Sequence, residues 1–318
     1  MKKTILVTGC AGFIGSNFVA GFKKQFPKTT IVGIDDFSGG RRDAVDSGIV
    51  FYEGSITDTK LVDSIFAKHK PEFVFHFAAL PRVSYTVAHP RESAEVNVLG
   101  TVALLEASKK YSVKRFIFSS SCIVYGDAKK LPTDEKEIIS DLRSPYAIQK
   151  YASELFCRQF SEFYGLDTVC LRYFNAYGEG QYGDSPYCTV VAAWLESMYF
   201  PKNKKGFIEG TGVNSRDLVH VSDVVQANIL AMQSQKDLKG EVFNIASGQK
   251  ISVKEVRALI EKFTGQKLSL ERRPPRPKDV RHTLADISKA KKMLGYKPNV
   301  SFEKGLKDTI MWFESRKK

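Results

Sequence analysis

Three glycines at intervals of three, Gly9, Gly12 and Gly15, lie between a short apolar run (Thr4 to Thr8) and a stretch of helical periodicity (Phe13 to Phe26) that stops before Pro27. No other feature constrains the fold as much. Glycine allows a tight turn and a close backbone approach. A helix that starts directly after such a turn presents unpaired N–H groups to an anion. The pattern therefore predicts a strand, a phosphate-binding turn and a helix, in that order. Asp35 follows Gly15 by 20 residues, at the end of a second apolar run from Thr30 to Ile34. A carboxylate there can accept hydrogen bonds from the ribose hydroxyls of an adenosine and would repel a 2′-phosphate. The reading favours NAD, with NADP as the alternative because Arg41 and Arg42 follow closely.

Further apolar runs suggest strands at Ile49 to Tyr52, Phe73 to His76, Arg115 to Ser119 and Asp167 to Arg172. Helical patterns occupy about 59–69, 91–111 and 145–164. Strands alternating with helices imply a parallel sheet covered on both faces. Right-handed crossovers then give an α/β, doubly wound Rossmann-type domain. Residues 1–175 are expected to form this NAD-binding domain. Residues 176–318 are expected to be mainly a smaller C-terminal substrate-binding domain, with segments that can return to the first. A glycine- and tyrosine-rich segment runs from Gly178 to Pro186, and a basic, proline-rich one from Arg272 to Pro277.

Tyr146 and Lys150 stand four residues apart within the fourth predicted helix, and Ser119-Ser120-Ser121 ends about 25 residues earlier. An i, i+4 spacing places both side chains on one helix face. There a lysine ammonium can favour the ionised form of a phenol, and a tyrosine so tuned can take a proton from a sugar hydroxyl near neutral pH. The spacing alone would fit any surface helix. The serine cluster and the glycine loop, in this order, point to redox chemistry on a bound nicotinamide.

Composition narrows the class. The 318 residues are 43% hydrophobic and 26% charged, ordinary for a globular chain. No apolar run is long enough to cross a bilayer, and the apolar start ends at Thr8-Gly9, too early for a signal core. Five cysteines (10, 122, 157, 170 and 188) show no paired metal spacing and suit reduced core residues, which suggests the cytoplasm. The five histidines (69, 76, 89, 220 and 282) show no ligand spacing either, so no metal is expected. The net charge of +13 is spread along the chain, which suits a solvated surface or attraction of an anionic nucleotide better than nucleic-acid binding.

Many landmarks then occur in one order: Val7-Thr8-Gly9, Asp35-Asp36-Phe37-Ser38, His76-Phe77-Ala78-Ala79, Asn97-Val98-Leu99-Gly100-Thr101, Ser119-Ser120-Ser121, Ser144-Pro145-Tyr146, Leu171-Arg172-Tyr173-Phe174-Asn175, Ser215-Arg216-Asp217 and Ala285-Asp286-Ile287-Ser288-Lys289-Ala290. In these, nearly the whole chain resembles the extended short-chain dehydrogenase/reductase family, and within it the UDP-hexose 4-epimerases. The resemblance implies Tyr146 as base, Lys150 as its partner and Ser121 as the hydroxyl that holds the sugar O4. It implies NAD contacts from Gly9, Gly12, Phe13, Ile14 and Gly15, and from Asp35, Asp36, Ser38 and Gly39 after the second strand. Ser55 and Ile56, then Phe77, Ala78 and Ala79, would follow, with Asn97, Ser119, Tyr146, Lys150 and Tyr173 nearer the nicotinamide. For a UDP-sugar substrate it implies contacts from Thr189 and Val190, with Asn175, Arg216 and Arg276 near the diphosphate and Asp279 near the uridine ribose. Arg82 and Thr283 would lie near the sugar. Two departures stand out: Ser55 where many relatives carry an acid, and Pro81-Arg82 where some carry a lysine. The resemblance also implies a homodimer, paired through the helices at about 91–111 and 145–164, with neither nucleic acid nor membrane as partner.

The two residues after Ser121 decide between reactions. Dehydratases that the chain resembles place two acids there, and decarboxylating relatives keep a glutamate. Cys122-Ile123 supplies no carboxylic acid, so water elimination lacks its acid–base pair, whereas 4-epimerisation needs one base and one hydride acceptor. The resemblance implies that Thr283 stands where related epimerases gate the sugar, and a small residue there leaves room for an acetamide, which leans the substrate to UDP-N-acetylglucosamine and UDP-N-acetylgalactosamine. UDP-glucose/UDP-galactose is next, and UDP-glucuronate third. A 4-keto-sugar reductase and a non-catalytic dinucleotide sensor are the remaining readings.

Overall fold

The structure is a computed structural model and describes residues 3–137, 139–185, 188–202, 205–274 and 280–317. The first half of the chain alternates strand and helix. Its elements are β1 (Thr4–Thr8), α1 (Phe13–Gln25), β2 (Thr30–Asp35), β3 (Val50–Glu53), α2 (Thr59–His69), β4 (Phe73–His76), α3 (Val83–Ala88), α4 (Pro90–Ala94), α5 (Gly100–Lys110), β5 (Arg115–Ser121), α6 (Pro145–Tyr164) and β6 (Thr168–Tyr173). Then come β7 (Asn175–Tyr177), α7 (Val190–Tyr199), β8 (Phe207–Glu209), β9 (Ser215–His220), α8 (Val221–Gln233), β10 (Glu241–Ile245), β11 (Lys250–Ser252), α9 (Val253–Thr264), β12 (Glu271–Arg273), α10 (Ser288–Leu294) and α11 (Phe302–Ser315).

Seven parallel strands in the order β10-β6-β5-β4-β1-β2-β3 form the central sheet. Every residue of β4 and β6 is buried, as expected for strands with both faces covered. Phe18 and Phe22 of α1 pack on one face with Phe75, while Phe66 of α2 and Leu104 of α5 pack on the other with Val74. Each such side chain contributes about 1.5–3 kcal/mol by leaving water. Strand order reverses between β1 and β4, so the loops after these strands diverge and leave a crevice at their C-terminal ends.

A three-stranded sheet, β11-β9-β7, and a strand pair, β12-β8, build the C-terminal lobe around a separate core that includes Trp194, Leu195, Ile260 and Phe313. Residues 221–245 leave this lobe. α8 packs on α1, and β10 joins β6 at the edge of the central sheet.

The stretch 91–111, which reads as one helix, is interrupted. Residues Glu95–Leu99 form a π-turn between α4 and α5. The wider turn sets the buried Asn97 facing the loop after β4, where its carboxamide accepts from Leu80 N (2.7 Å) and donates to Leu80 O (3.0 Å). Those bonds compensate for the irregular turn, and π-turns often mark functional positions.

Candidate active site

The glycine loop is built so that no side chain can occupy it. Gly9 has φ +69°, and a Cβ there would come within 2.6 Å of Ala78 N. A Cβ on Gly15 would overlap the Gly9 carbonyl. Gly12 caps α1 without a side-chain hydrogen bond, and no acidic residue stands in the first turn. The positive end of the helix is thus left for an external anion, which suits a dinucleotide pyrophosphate. Phe13 and Ile14 continue directly from this cap.

Asp35, buried at the end of β2, accepts from Ala11 N (2.9 Å) on one oxygen and Phe37 N (2.8 Å) on the other. It holds the glycine loop against β2 and keeps further lone pairs for a ribose. Burial pushes its carboxyl upward, against the lowering effect of the two amide donors. Asp36, Ser38 and Gly39 lie beyond it at the surface, with Ser38 N donating to Asp36 (2.9 Å). Arg41 and Arg42, which kept NADP as an alternative, are both engaged. Arg41 pairs with Asp43 and lies over Tyr182, while Arg42 forms a two-pronged pair with Glu53.

Ser55 bonds Thr57 locally (2.9 Å), and buried Ile56 packs beneath Gly100. After β4, Ala78 N donates to Thr8 Oγ1 (3.2 Å), the Phe77 ring lies tilted against Phe18 and Ala79 is half-buried. His76 is enclosed between Thr8 (2.8 Å) and Thr101 (2.9 Å), and burial pushes it well below its ordinary value. It is a neutral bridge in the core.

The helix that carries Tyr146 and Lys150, α6, has explicit ends. Ser144 accepts from Ala147 N, Pro145 fills the first position and Gly165 closes the helix in the left-handed region. Tyr146 and Lys150 both face inward and are buried. The Lys150 ammonium donates to Ser119 O (2.7 Å) and lies over the Phe118 ring. Burial pushes it down to about 8. Ser119 Oγ meets Tyr173 Oη (3.1 Å), which in turn bonds Asn228.

The expected lowering of the Tyr146 phenol is corrected by the protein's own field. Burial, then Cys122, pushes the phenol upward. The ammonium stands 5.9 Å from the Tyr146 ring centre and is bonded to Ser119 O. Desolvation therefore outweighs the lysine.

Ser121 ends β5, and its hydroxyl accepts from Ile123 N (3.3 Å) to cap a short 3₁₀ turn, Cys122–Tyr125. Cys122 is pushed up to about 12 by burial, with Arg216 and Asp217 also acting on it. The thiol thus lies electrostatically between Tyr146 and the strand that carries Arg216, and at neutral pH it keeps its proton.

On the substrate side, Asn175 opens β7, and its buried Oδ1 has no hydrogen-bond partner among the described residues. Thr189 precedes α7, its hydroxyl bonded to Gln181 (2.7 Å), and Val190 is the first residue of that helix. Arg216 projects from β9, with bonds to Ser215 O and Arg281 O. Thr283 lies beside β9, where its hydroxyl accepts from Asp217 N (3.1 Å). Arg82 is exposed and bonds Ser84 (2.9 Å). Arg276 and Asp279 lie outside the described residues.

Two supporting residues carry no role in the sequence reading. Gln149 bonds Asn97 (2.7 Å) and Ser93 (2.9 Å), tying α6 to α4 and to the π-turn that follows it. Fully buried Asp217 accepts from Ser247, Gly248 and Ala285, which fixes two loops beside Arg216. Neither has a local signal beyond the landmark Ser215-Arg216-Asp217, because the partners come from distant parts of the chain.

A model of the NAD dependent epimerase/dehydratase family matches residues 5–246. The UDP-glucose 4-epimerase of Mycolicibacterium smegmatis is 34% identical over 319 residues, covering 98% of both chains. Among solved structures, the UDP-glucose 4-epimerase of Thermotoga maritima, with UDP-glucose, superposes with a TM-score of 0.93 at 40% identity. The match covers 99% of this chain and 100% of that one. The UDP-N-acetylglucosamine 4-epimerase of Methanobrevibacter ruminantium, in complex with UDP-N-acetylmuramic acid, gives 0.90 at 33% identity with the same coverage.

Proposed function

The chain belongs to the NAD dependent epimerase/dehydratase family, and we propose that its reaction is 4-epimerisation of a UDP-hexose through a 4-keto sugar, with UDP-N-acetylglucosamine and UDP-N-acetylgalactosamine as the leading pair. It is an NAD-dependent enzyme of the isomerase class. The observation that carries the reading is the reactive centre itself: a buried Tyr146–Lys150 pair faces the end of β5, and the residues after Ser121 are a protonated thiol and an apolar side chain. Such a site can shuttle one proton at one oxygen. Neither Cys122 nor Ile123 can act as the second acid that expels water.

Gly9, Gly12, Gly15 and Asp35 would hold the NAD pyrophosphate and adenosine, and Asn97, Ser119 and Tyr173 would border the nicotinamide. Bound NAD supplies a hydride acceptor that returns the same hydride. Tyr146 removes the proton from the sugar O4 and gives it back after the sugar has turned. Ser121 orients that oxygen. Lys150 sets a positive charge next to the phenol as it ionises. Arg216, Arg276 and Asn175 grip the diphosphate, because a guanidinium fork matches two oxygens at once. The sugar is held more loosely and can present either face.

Thr283 supports the acetamido substrates. It is a small side chain, and its hydroxyl is bonded back to Asp217 N. An NMR time course with UDP-N-acetylglucosamine, UDP-glucose and UDP-glucuronate tests the proposal. A new galacto-configured anomeric signal without net NADH is expected, fastest with UDP-N-acetylglucosamine. Net accumulation of NADH together with a 4-keto sugar would indicate a keto-sugar reductase running in reverse. NAD binding without turnover of any sugar would indicate a sensor.

The homodimer is part of the proposal. Ile148, Leu155, Phe156 and Phe163 of α6 recur at intervals of seven or eight and are exposed, Phe163 to 73%, with Leu99 beside α5 also exposed. An apolar stripe of this period fits a partner helix, and a second copy supplies one. Light scattering after size exclusion should give twice 35.6 kDa at micromolar concentration; a monomer would refute the pairing. Five unpaired cysteines, three of them buried, fit a reducing cytoplasm.

A further inference from the structure

The glycine- and tyrosine-rich segment after β7 takes no part in the chemistry above, yet it joins the C-terminal lobe to the mouth of the glycine loop. Glu179 O accepts from Asn17 Nδ2 (3.0 Å), on the α1 helix that the glycine loop opens. Gly180 has φ +82°, and a Cβ there would come within 3.0 Å of the same nitrogen. Two residues on, the Tyr182 ring lies 4.0 Å from the Arg41 guanidinium and 4.4 Å from that of Arg316, with Trp312 edge-on at 5.2 Å. Arg41 is fastened to the glycine loop, since its backbone N–H donates to Ala11 O (3.0 Å). Arg316 is fastened to the other lobe through buried Glu196 (2.8 Å). The root of the segment is held by Gln181, which bonds Ala176 O and Thr189, and by the Glu179–His220 pair (3.1 Å).

We propose that residues 178–185 form a retention strap for the dinucleotide, with Tyr182 as its positioning residue. This rests on the reading that one NAD serves both halves of the reaction. In a reaction that returns the same hydride to the same sugar, loss of reduced cofactor midway ends the cycle with a free keto sugar. Retention must therefore outlast turnover. The strap supplies it by tying the glycine loop, through Ala11, Arg41 and Tyr182, to Arg316 of the C-terminal lobe. A guanidinium over an aromatic face is attractive, more so as water is excluded. Two such contacts on one ring must part before the loop can open.

The test is the rate at which NAD leaves the full-length, NAD-loaded protein, measured without sugar. Tyr182→Ala should release NAD about 10- to 100-fold faster, as expected for losing two such contacts. It should leak NADH during turnover and recover near-normal kcat when NAD is added in excess. Tyr182→Phe keeps the ring and should behave as the wild type. Arg41→Ala removes one face of the sandwich, keeps the backbone bond to Ala11 and should speed release by about 3- to 10-fold. Release at the wild-type rate from a folded Tyr182→Ala would overturn the proposal. If that variant does not fold, wild-type release from Arg41→Ala does so instead. Because no sugar is present, failure here is distinct from failure of the epimerase reading.

Discussion

Tyr146→Phe should lower kcat by about 10³–10⁴-fold and leave NAD and UDP-sugar binding within about twofold, the upper range for loss of a general acid–base group. The substitution deletes one oxygen and keeps the ring, so the packing of a side chain only 9% exposed is preserved. No neighbour can substitute. The Cys122 thiol is pushed up to about 12 and stays protonated, and Ile123 carries no ionisable group. His76 is enclosed by two threonines. Equilibrium binding of the nucleotide sugar together with single-turnover kinetics checks the result. Activity within tenfold of wild type would remove Tyr146 from the role of base.

Lys150→Met should separate activity from stability. Turnover should fall by about 10²–10³-fold, since a charge placed where charge develops in the transition state is lost. The NAD-free protein should nevertheless become more stable at pH 7. Burial has moved the ammonium from its usual 10.5 down to about 8. A cation whose folded value is depressed favours the folded state fully only above the unfolded value. That favour is lost as pH falls from 10.5 to 8, and below 8 the penalty is constant. The move from 10.5 to about 8 corresponds to about 3 kcal/mol. Methionine fills similar space without charge but leaves Ser119 O without its donor, at a cost of about 1–2 kcal/mol. A net gain of about 1–2 kcal/mol at pH 7 should appear in denaturant melts and turn into a loss of about 1–2 kcal/mol above pH 10.5, where only the missing donor to Ser119 O counts. A variant less stable than wild type at pH 7 would show that the buried charge is better compensated than the geometry indicates.

Sequence patterns locate the elements that local rules determine. The catalytic helix is legible at both ends because Ser144-Pro145 starts it and Gly165 stops it. The glycine loop is legible because its backbone admits nothing larger at Gly9 and Gly15. The π-turn at Glu95–Leu99 is not, since the apolar pattern runs on through it and only the distant Leu80 makes it favourable. The return of β10 to the central sheet is equally silent, because a parallel pairing between residues some 70 apart leaves no short-range mark. The direction in which Tyr146 moves depends on burial, which no spacing of two residues reveals. Arg41 shows the same limit in another form. Its position suggests a phosphate ligand, while its partners, Tyr182 and Asp43, are visible only once the chain is folded.

The pairing of β10 with β6 has a consequence for how the enzyme can be altered. Chain that has already begun building the C-terminal lobe comes back to finish the sheet, then leaves again to complete that lobe. The first half is thus completed by chain from the second. A cut after residue 175 would strip β6 of its outer neighbour and expose a hydrogen-bonding edge on a strand whose every residue is buried. The C-terminal lobe is therefore not a cassette that can be exchanged at one junction. A swap of specificity between relatives needs at least three crossovers, or else point changes within the lobe that leave the returning strand in place.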